Sequence, residues 1–290
     1  MPSPHQELGD FLRRARASSD PRRAGLPADG RVRRVAGLRR EEVALLAGIS
    51  ADYYTRLEQG RRIVPSTQVI DAIARALDLD PAGRRYVHDL VGAAGRPRPS
   101  VRRAVQRVRP GLYQLLDALD GQPAMILGRR TDVLGANRLA RALFTDFERL
   151  PARERNYARW MLLSDEARAL FVDWEVQARH AVEALRLDAG RTPQDPGTQQ
   201  LVGELSLASG EFREWWSDHQ VHQRSHGVKK LCHPIVGELT VSFETLTLPT
   251  DSDQSLYIYT TAAGSASRQA LGLLASWTNT PSGADARPRS

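Results

Sequence analysis

The sequence predicts an α+β protein, in which an all-α domain is followed by a domain with an antiparallel sheet covered by helices. Apolar residues recur at the spacing of short helices through roughly the first ninety residues. Near the C-terminus Leu239, Val241 and Phe243 instead alternate with polar residues, as they do in a strand. A stretch rich in Gly, Pro and Arg separates the two patterns. A chain of 290 residues is long enough for two domains.

The first predicted helix runs from Leu8 to Ala15, and a connection rich in Pro, Gly and Arg follows over residues 21–37. Connections of this length are uncommon and tend to be functional or disordered. The connection is therefore either an arm that contacts a DNA backbone or a mobile, solvated loop. The sequence leaves both interpretations open.

Residues 39–60 predict two short helices joined by a tight turn. Gly48 suits the turn, and Ser50 is a natural N-cap for the second helix. Tyr54 and Leu57 lie three residues apart and are expected to face the core. The opposite, outward side is formed by Ala51, Asp52, Tyr53 and Arg56. This is the geometry of a recognition helix that enters a DNA groove.

Two further helices complete five predicted helices and a first domain at residues 1–92. Residues 93–107 are predicted to form a linker. The second domain, 108–277, is predicted to contain an early hairpin around Gly128-Arg129-Arg130, a helical middle, a late sheet and a final helix. The tail, 278–290, is predicted to be disordered.

The net charge of +7 is unevenly distributed along the chain. Residues 1–110 hold 22 arginines and no lysine against 12 acidic residues, a net charge of +10, and the remaining residues carry −3. A basic N-terminal part indicates contact with a polyanion such as nucleic acid. The alternative is that an Arg-rich, Lys-poor composition reflects a GC-rich genome.

No stretch resembles a signal peptide or is long and apolar enough to span a bilayer, so no membrane partner is expected. The single cysteine, Cys232, cannot form an internal disulfide, which agrees with a reducing compartment. We expect the protein to be cytoplasmic, and associated with the nucleoid when it is bound to DNA.

An ordered series of short motifs follows the predicted linker. The motifs are Pro123-Ala124, Leu127-Gly128-Arg129-Arg130, Val133-Leu134 with Asn137, Arg155-Asn156, Asp173-Trp174-Glu175, Leu201 to Ser206, His233-Pro234 and Tyr259-Thr260. With them the C-terminal half resembles the ligand-binding half of the MmyB-like transcription regulators, while residues 38–60 resemble the helix-turn-helix of XRE-type regulators. The resemblance implies a PAS-like sheet with helices packed over it, which binds a small apolar ligand such as a fatty acid.

The resemblance also implies which residues approach double-stranded DNA. They are Ser50 and Arg40 at phosphates, and Ala51, Asp52, Tyr53 and Arg56 at base edges. Arg56 is the best candidate for reading a base, because a guanidinium can bond guanine O6 and N7 together. Alternatively, Arg56 is a surface side chain paired with Asp52. Asp52 itself either orients Arg56 or accepts a hydrogen bond from cytosine. Arg61 and Arg62 follow the helix and suit contacts with the DNA backbone.

Aromatic residues at helical spacing in the second domain either line a ligand cavity or form an ordinary core. Arg159 is the candidate for binding a ligand carboxylate through a bidentate pair. The predicted ligand-binding residues are Asn156, Arg159, Trp160, Trp174, Phe212, Trp215 and Trp216.

Several histidines lie close together in the sequence, and their spacing suits a metal site. They are His219, His222, His226 and His233, with Cys232 beside the last. The CxxC pair that structural zinc sites usually add is missing, so we expect hydrogen-bonding or solvated histidines and no metal. Asp173 and Glu175 would point to different sides of a helix, and the sequence has no nucleophile elbow, phosphate loop or HExxH motif. We expect neither a cofactor nor an enzyme.

Together these patterns predict a sequence-specific DNA-binding transcription regulator whose C-terminal domain senses a small apolar ligand. A homodimer is expected, because one helix pair reads only a half-site and two-fold symmetry places two pairs about 34–36 Å apart on one duplex face. The alternative is a DNA-bound scaffold whose C-terminal domain docks a protein partner and holds no ligand.

Overall fold

The fold was obtained as a computed structural model, which describes residues 3–22, 37–94, 106–221, 224–248, 251 and 253–279. Most of the predicted arm at 21–37, linker at 93–107 and tail at 278–290 lies outside the described residues. Among the described helices, none is long and apolar enough to cross a membrane.

The described helices and strands confirm the predicted α+β class. The helices are α1 (Pro4–Ser18), α2 (Arg40–Ala47), α3 (Ala51–Glu58), α4 (Thr67–Ala76), α5 (Pro81–Ala94), α6 (Pro110–Ala118), α7 (Arg138–Leu143), α8 (Tyr157–Leu163), α9 (Asp165–Leu170), α10 (Trp174–Arg191), α11 (Pro196–Ala208), α12 (Gly210–Ser217) and α13 (Ala266–Asn279). The strands are β1 (Ala124–Leu127), β2 (Val133–Ala136), β3 (His226–His233), β4 (Gly237–Thr247) and β5 (Ser255–Thr260).

The chain divides into two compact units, which are described separately below. The N-terminal unit comprises residues 1–103 and 182–223. The sheet unit comprises residues 104–181 and 224–290. The division falls within the single helix α10, so the chain leaves the sheet unit and returns to it.

Helices α1 to α5 form the start of the N-terminal unit, and the predicted signals at the helix pair are confirmed. Gly48 takes the left-handed conformation with φ of 65° and ends α2, a conformation in which glycine is unstrained. The Ser50 hydroxyl caps α3 by accepting from the Tyr53 amide at 3.1 Å. Tyr54 and Leu57 are buried, as predicted. The predicted recognition helix therefore begins and packs where its sequence indicates.

Helix α1 approaches α3 at a glycine. A Cβ added at Gly9 would lie 2.7 Å from the Glu58 carbonyl oxygen and 2.9 Å from the Gly60 nitrogen. Both neighbours are backbone atoms, so a side chain at this position would push the two helices apart. The absence of a side chain at residue 9 therefore helps to fix where α3 stands.

The N-terminal unit contains more than the predicted residues 1–92. Leu187, on α10, and Val221, which follows α12, are buried in the same apolar core as the first five helices. Gly190 lies against the Tyr86 ring of α5, where a Cβ would overlap the ring. Gly190 and Tyr86 are 104 positions apart in the sequence. Periodicity within a helix carries no information about such partners.

The sheet unit is built on five antiparallel strands in the order β2-β1-β5-β4-β3. The predicted hairpin around residues 128–130 is confirmed, since β1 pairs antiparallel with β2. The predicted late sheet is also confirmed, since β4 pairs with β5 and Phe243 with Tyr259. The sequence did not predict β3, which pairs with β4 so that Leu231 lies opposite Leu239. Along β4 the alternating residues Leu239, Val241 and Phe243 are buried and the residues between them are exposed.

One apolar cluster joins α6 to the sheet, and Asn137 fixes the chain beside it. The cluster consists of Val108, Leu112, Leu116, Ala124, Ile126 and Leu256. The Asn137 carbonyl accepts from the amides of Ala124 at 3.0 Å and Ala140 at 2.9 Å. Its amide group donates to the Leu119 and Gln122 carbonyls, each at 2.7 Å. This motif residue therefore has a structural role.

Two boundaries in the sheet unit differ from the prediction. The helical stretch over residues 167–185 is broken between α9 and α10, because Phe171 bridges to Leu231 on β3 and the Val172 amide donates to the Lys230 carbonyl at 3.0 Å. At the other end, α13 continues to Asn279, two residues into the predicted tail.

Candidate functional site

The outward side of α3 contains both exposed and half-buried residues. Asp52 and Arg56 are exposed, whereas Ala51 and Tyr53 are half-buried and pack partly against the core. Within the part of the chain that the structure describes, the Arg56 guanidinium makes no hydrogen bond or ion pair. Asp52 therefore makes no observed contact with Arg56. Such a contact is needed both for a surface pair and for an Asp52 that orients Arg56.

The other predicted DNA-binding residues differ in exposure and in the hydrogen bonds that they make within the protein. Arg61 and Arg62 are exposed immediately after α3. Arg40 is partly used within the protein: its Nε donates to the Glu58 carboxylate at 2.6 Å, and 44% of its side chain is exposed. The Ser50 hydroxyl is used as the cap of α3. DNA contact by these residues remains a prediction.

A buried carboxylate at the end of α3 ties three helices together. Glu58 is 1% exposed, and its oxygens accept from Arg16 Nε at 2.5 Å and from Arg40. Arg16 also donates to the Leu38 carbonyl at 2.8 Å. Burial opposes ionisation, but the hydrogen bonds and charges of the two arginines outweigh it and hold the pKa of Glu58 below its ordinary value. The sequence analysis missed this network, since Arg16 and Glu58 are 42 residues apart.

A second buried ion pair joins α1 to α10 within the N-terminal unit. Arg186 is 1% exposed and donates to the Glu7 carboxylate and to the Trp216 carbonyl. Its guanidinium lies over the Trp216 ring, 4.1 Å from the ring centroid. Glu7 also accepts from the Tyr86 hydroxyl at 2.8 Å. Residues from α1, α5, α10 and α12 therefore meet around one buried carboxylate.

The predicted ligand-binding residues are divided between the two units. Phe212, Trp215 and Trp216 belong to the N-terminal unit, where Phe212 is fully buried and stacks on Trp216 at 5.2 Å between centroids. Asn156, Arg159, Trp160 and Trp174 belong to the sheet unit. The seven residues therefore do not form one site within either unit.

The four residues in the sheet unit have different surroundings. Asn156 caps α8 by accepting from the Arg159 amide at 2.9 Å, and it donates to the Arg130 carbonyl at 2.6 Å. Trp174 donates from its indole nitrogen to the Met161 carbonyl at 2.8 Å. Arg159 is half-buried on α8. Asn156 and Trp174 thus have defined structural partners, and only Trp160 lies in the cluster described next.

Trp160 is the centre of a group of aromatic rings that we call the aromatic cluster. Its members are Phe144, Phe147, Tyr157, Trp160, Phe171, Phe243 and Tyr259. The Trp160 ring lies 5.8 Å from Tyr157 and 6.0 Å from Phe171 between centroids. Among the described residues, the buried Tyr157 hydroxyl and Trp160 indole nitrogen have no hydrogen-bond partner. Burial raises the pKa of Tyr157, so its hydroxyl stays a neutral donor.

A lysine on β3 is buried beside the aromatic cluster. Lys229 is 7% exposed and donates to the Gln177 side-chain oxygen at 2.7 Å. Its ammonium lies 5.4 Å from the Phe171 centroid and 5.1 Å from that of Phe243. Burial lowers the pKa of Lys229 to about 8, although the negative charge of Asp173 opposes this shift and Arg224 adds to it.

Sequence reasoning missed Lys229, because its inward position becomes visible only once β3 is known. On β3 the burial pattern alternates, and Lys229 has the same parity as the buried residues Leu231 and His233. A lysine in phase with buried strand positions indicates an ammonium that points into the protein.

The histidines have separate partners in the described chain. His233 Nε2 lies 3.0 Å from the Ala142 carbonyl, and His219 Nδ1 lies 2.8 Å from that of Ser217. His222 is outside the described residues. Across the described segments, no group of three His, Cys, Asp or Glu side chains is placed to hold a metal ion.

Comparison with known families matches both parts of the chain. Residues 108–274 match the model of an MmyB-like transcription regulator ligand binding domain. Residues 7–87 match that of a helix-turn-helix domain. A search of curated proteins finds no match. The second match begins within α1 and ends within α5, and the first includes the whole sheet together with the 182–223 segment of the N-terminal unit.

Proposed function

The chain belongs to the MmyB-like transcription regulators, and we propose that it binds its operator as a homodimer and that its sheet unit senses a small, fatty-acid-like ligand. With a helix-turn-helix domain and a ligand-binding domain, it is a DNA-binding transcription regulator. The observation that carries the DNA-binding half is an exposed Arg56 on a helix held rigidly by Glu58. We also propose that it acts in the cytoplasm and is associated with the nucleoid when it is bound to DNA.

The exposed arginines divide into two proposed roles. Arg56 lies within α3, where a guanidinium can reach the edge of a guanine in the major groove. Arg61 and Arg62 follow the helix, where side chains contact phosphates and fix position without reading sequence. One copy of α3 reads a half-site only, so a second copy is needed for a full operator.

Binding to an operator selected from random duplexes would test these roles. We expect Arg56→Ala to weaken binding by about 1–3 kcal/mol and to relax the preference at one base pair. Arg61→Ala should weaken binding to all duplexes alike and reduce the salt dependence by about one phosphate contact. Arg85→Ala, which removes an exposed arginine from α5, is the matched control. Unchanged operator binding by Arg56→Ala would refute the assignment.

The strand order β2-β1-β5-β4-β3, with helices inserted between β2 and β3, supports a PAS-like sheet unit. The aromatic cluster on this sheet supports an apolar ligand. Burying an acyl chain contributes about 0.8 kcal/mol per CH₂. A series of saturated fatty acids should therefore raise the melting temperature of the full chain in steps that follow chain length.

A second candidate function is a scaffold that docks a protein partner through the sheet unit. It is favoured by Leu273 and Trp277, which lie one turn apart on α13 and are 67% and 60% exposed. If the fatty acids cause no thermal shift and organic extracts of the purified protein contain no small molecule, the scaffold is the better description.

A further inference from the structure

The buried ammonium of Lys229 has no task in the DNA-binding half of the proposed function. We propose that Lys229 binds the carboxylate headgroup of the ligand, that Gln177 orients the ammonium, and that the ligand chain lies along the aromatic cluster. This inference rests on the proposed function, namely that the sheet unit binds an apolar ligand. It assigns to Lys229 the contact that the sequence suggested for Arg159.

The ammonium of Lys229 is a buried charge with incomplete pairing. An ammonium has three donors, and in the described chain the only hydrogen bond from Lys229 goes to Gln177. The Phe171 and Phe243 rings attract the charge but accept no conventional hydrogen bond. A buried charge without full pairing is unfavourable, and an anion that accepts the remaining N–H groups would offset this.

The Asp173 carboxylate is linked to Lys229 through Gln177. Gln177 donates from its amide nitrogen to the Asp173 carboxylate at 3.0 Å and accepts from Lys229 with its oxygen. The link from Lys229 to Asp173 therefore runs through an amide. Asp173 favours the charged form of the lysine, while two ammonium N–H groups remain for another acceptor.

Aromatic rings adjoin the ammonium of Lys229. From Lys229 the rings of Phe171, Trp160 and Tyr157 follow one another in successive contacts. Gly227 leaves room for the Phe243 ring, since a Cβ there would lie 2.8 Å from it. The unpaired donors of Tyr157 and Trp160 mark this cluster as less complete than an ordinary core. A ligand with an acidic end and an apolar chain matches this order of groups.

The test compares two amphiphiles that differ only in the headgroup, tetradecanoate and 1-tetradecanol, on the full-length protein. We expect wild type to bind the acid about 10- to 100-fold more tightly than the alcohol, as hydrogen bonds to a charged group imply. Lys229→Met should remove this preference and leave the affinity for the alcohol nearly unchanged. Lys230→Met, which removes the exposed neighbour on β3, should behave as wild type.

The outcomes separate this inference from the proposed function. If neither amphiphile binds wild type, the proposed fatty-acid-like ligand is wrong, and the Lys229 inference is wrong with it. If wild type prefers the acid and Lys229→Met keeps that preference, the Lys229 assignment alone is overturned. Should Lys229→Met fail to fold, Gln177→Leu repeats the comparison, because it keeps the lysine but removes its orienting acceptor. A reduced preference for the acid supports the inference, and an unchanged one overturns it.

Discussion

The two units treat buried positive charge differently. In the N-terminal unit, Arg16 and Arg186 each form an ion pair with a buried carboxylate and donate to a backbone carbonyl. In the sheet unit, Lys229 is also buried but donates to one neutral amide. The arginines therefore act as fixed connections between helices, whereas the described hydrogen bond of the lysine reaches no carboxylate directly. A buried charge with a direct counter-charge indicates structure, and one without it indicates a binding site.

The largest expected effect is the loss of the carboxylate that pairs Arg16. Glu58→Gln leaves the Arg16 guanidinium buried without its counter-charge, so we expect the free energy of unfolding to fall by about 3–5 kcal/mol. Chemical denaturation measures this. Asp52→Asn, on the exposed side of the same helix, should change it by less than about 0.5 kcal/mol. If Glu58→Gln and Asp52→Asn lowered the free energy of unfolding equally, the buried pairing of Glu58 would not be what stabilises the protein.

The ion pairs of Glu58 also predict that the free energy of unfolding depends on pH. The folded-state pKa of Glu58 is lowered, and the unfolded-state value is about 4.3. Between these two values the unfolded state binds more protons, so stability is present above about pH 4.3 and is lost as the pH falls through the folded-state pKa. The stability difference between wild type and Glu58→Gln should shrink over this window. A constant difference would show that the carboxylate charge is not responsible.

A somewhat smaller effect is expected at Arg186, because Glu7 keeps its hydrogen bond from Tyr86. Arg186→Met should lower the free energy of unfolding by about 3 kcal/mol. Combining it with Glu7→Gln should give less than the sum of the two single effects, as expected for partners in contact. The control is Arg14→Met, which removes a half-exposed pair with Asp218 at 3.8 Å and should change stability by less than about 1 kcal/mol.

The smallest effect on stability is expected at Lys229. Without ligand, Lys229→Met should leave the free energy of unfolding within about 1 kcal/mol of wild type or raise it, since a partly paired buried charge contributes little. The folded-state pKa of about 8 lies below the unfolded value of about 10.4, so wild type should gain stability relative to the variant as the pH rises between them. A loss comparable with that of Glu58→Gln would instead make Lys229 structural.

Local signals made the helix pair predictable. The turn at Gly48, the cap at Ser50 and the buried face of Tyr54 and Leu57 all act within about four residues along the chain, which is the range of helical hydrogen bonds. The alternation along β4 is equally local and was also confirmed. These signals fix the type and ends of an element, and thereby the residues that each helix exposes.

Pairings over long distances were not predictable from such signals. Arg186 and Glu7 are 179 residues apart, and neither position stands out in its own helix. The predicted ligand-binding set combined Trp160 with Phe212 because aromatic spacing shows that a residue is buried but not in which core. Lys229 was missed for a related reason, since its parity with Leu231 marks an inward position only once β3 is known.

The assignment of residues 182–223 to the N-terminal unit has a consequence for synthesis on the ribosome. Val221, which belongs to the core of this unit, is made about 130 residues after α5 ends at Ala94. At about 5–20 residues per second this delay is roughly 6–25 s. For most of that time Arg186 has not been made, so Glu7 lacks its partner, and until Val221 is made the nascent helices lack part of their core. The N-terminal unit is therefore completed only after residues 104–181 of the sheet unit have been synthesised. A chain that is released before residue 221 cannot contain a complete N-terminal unit.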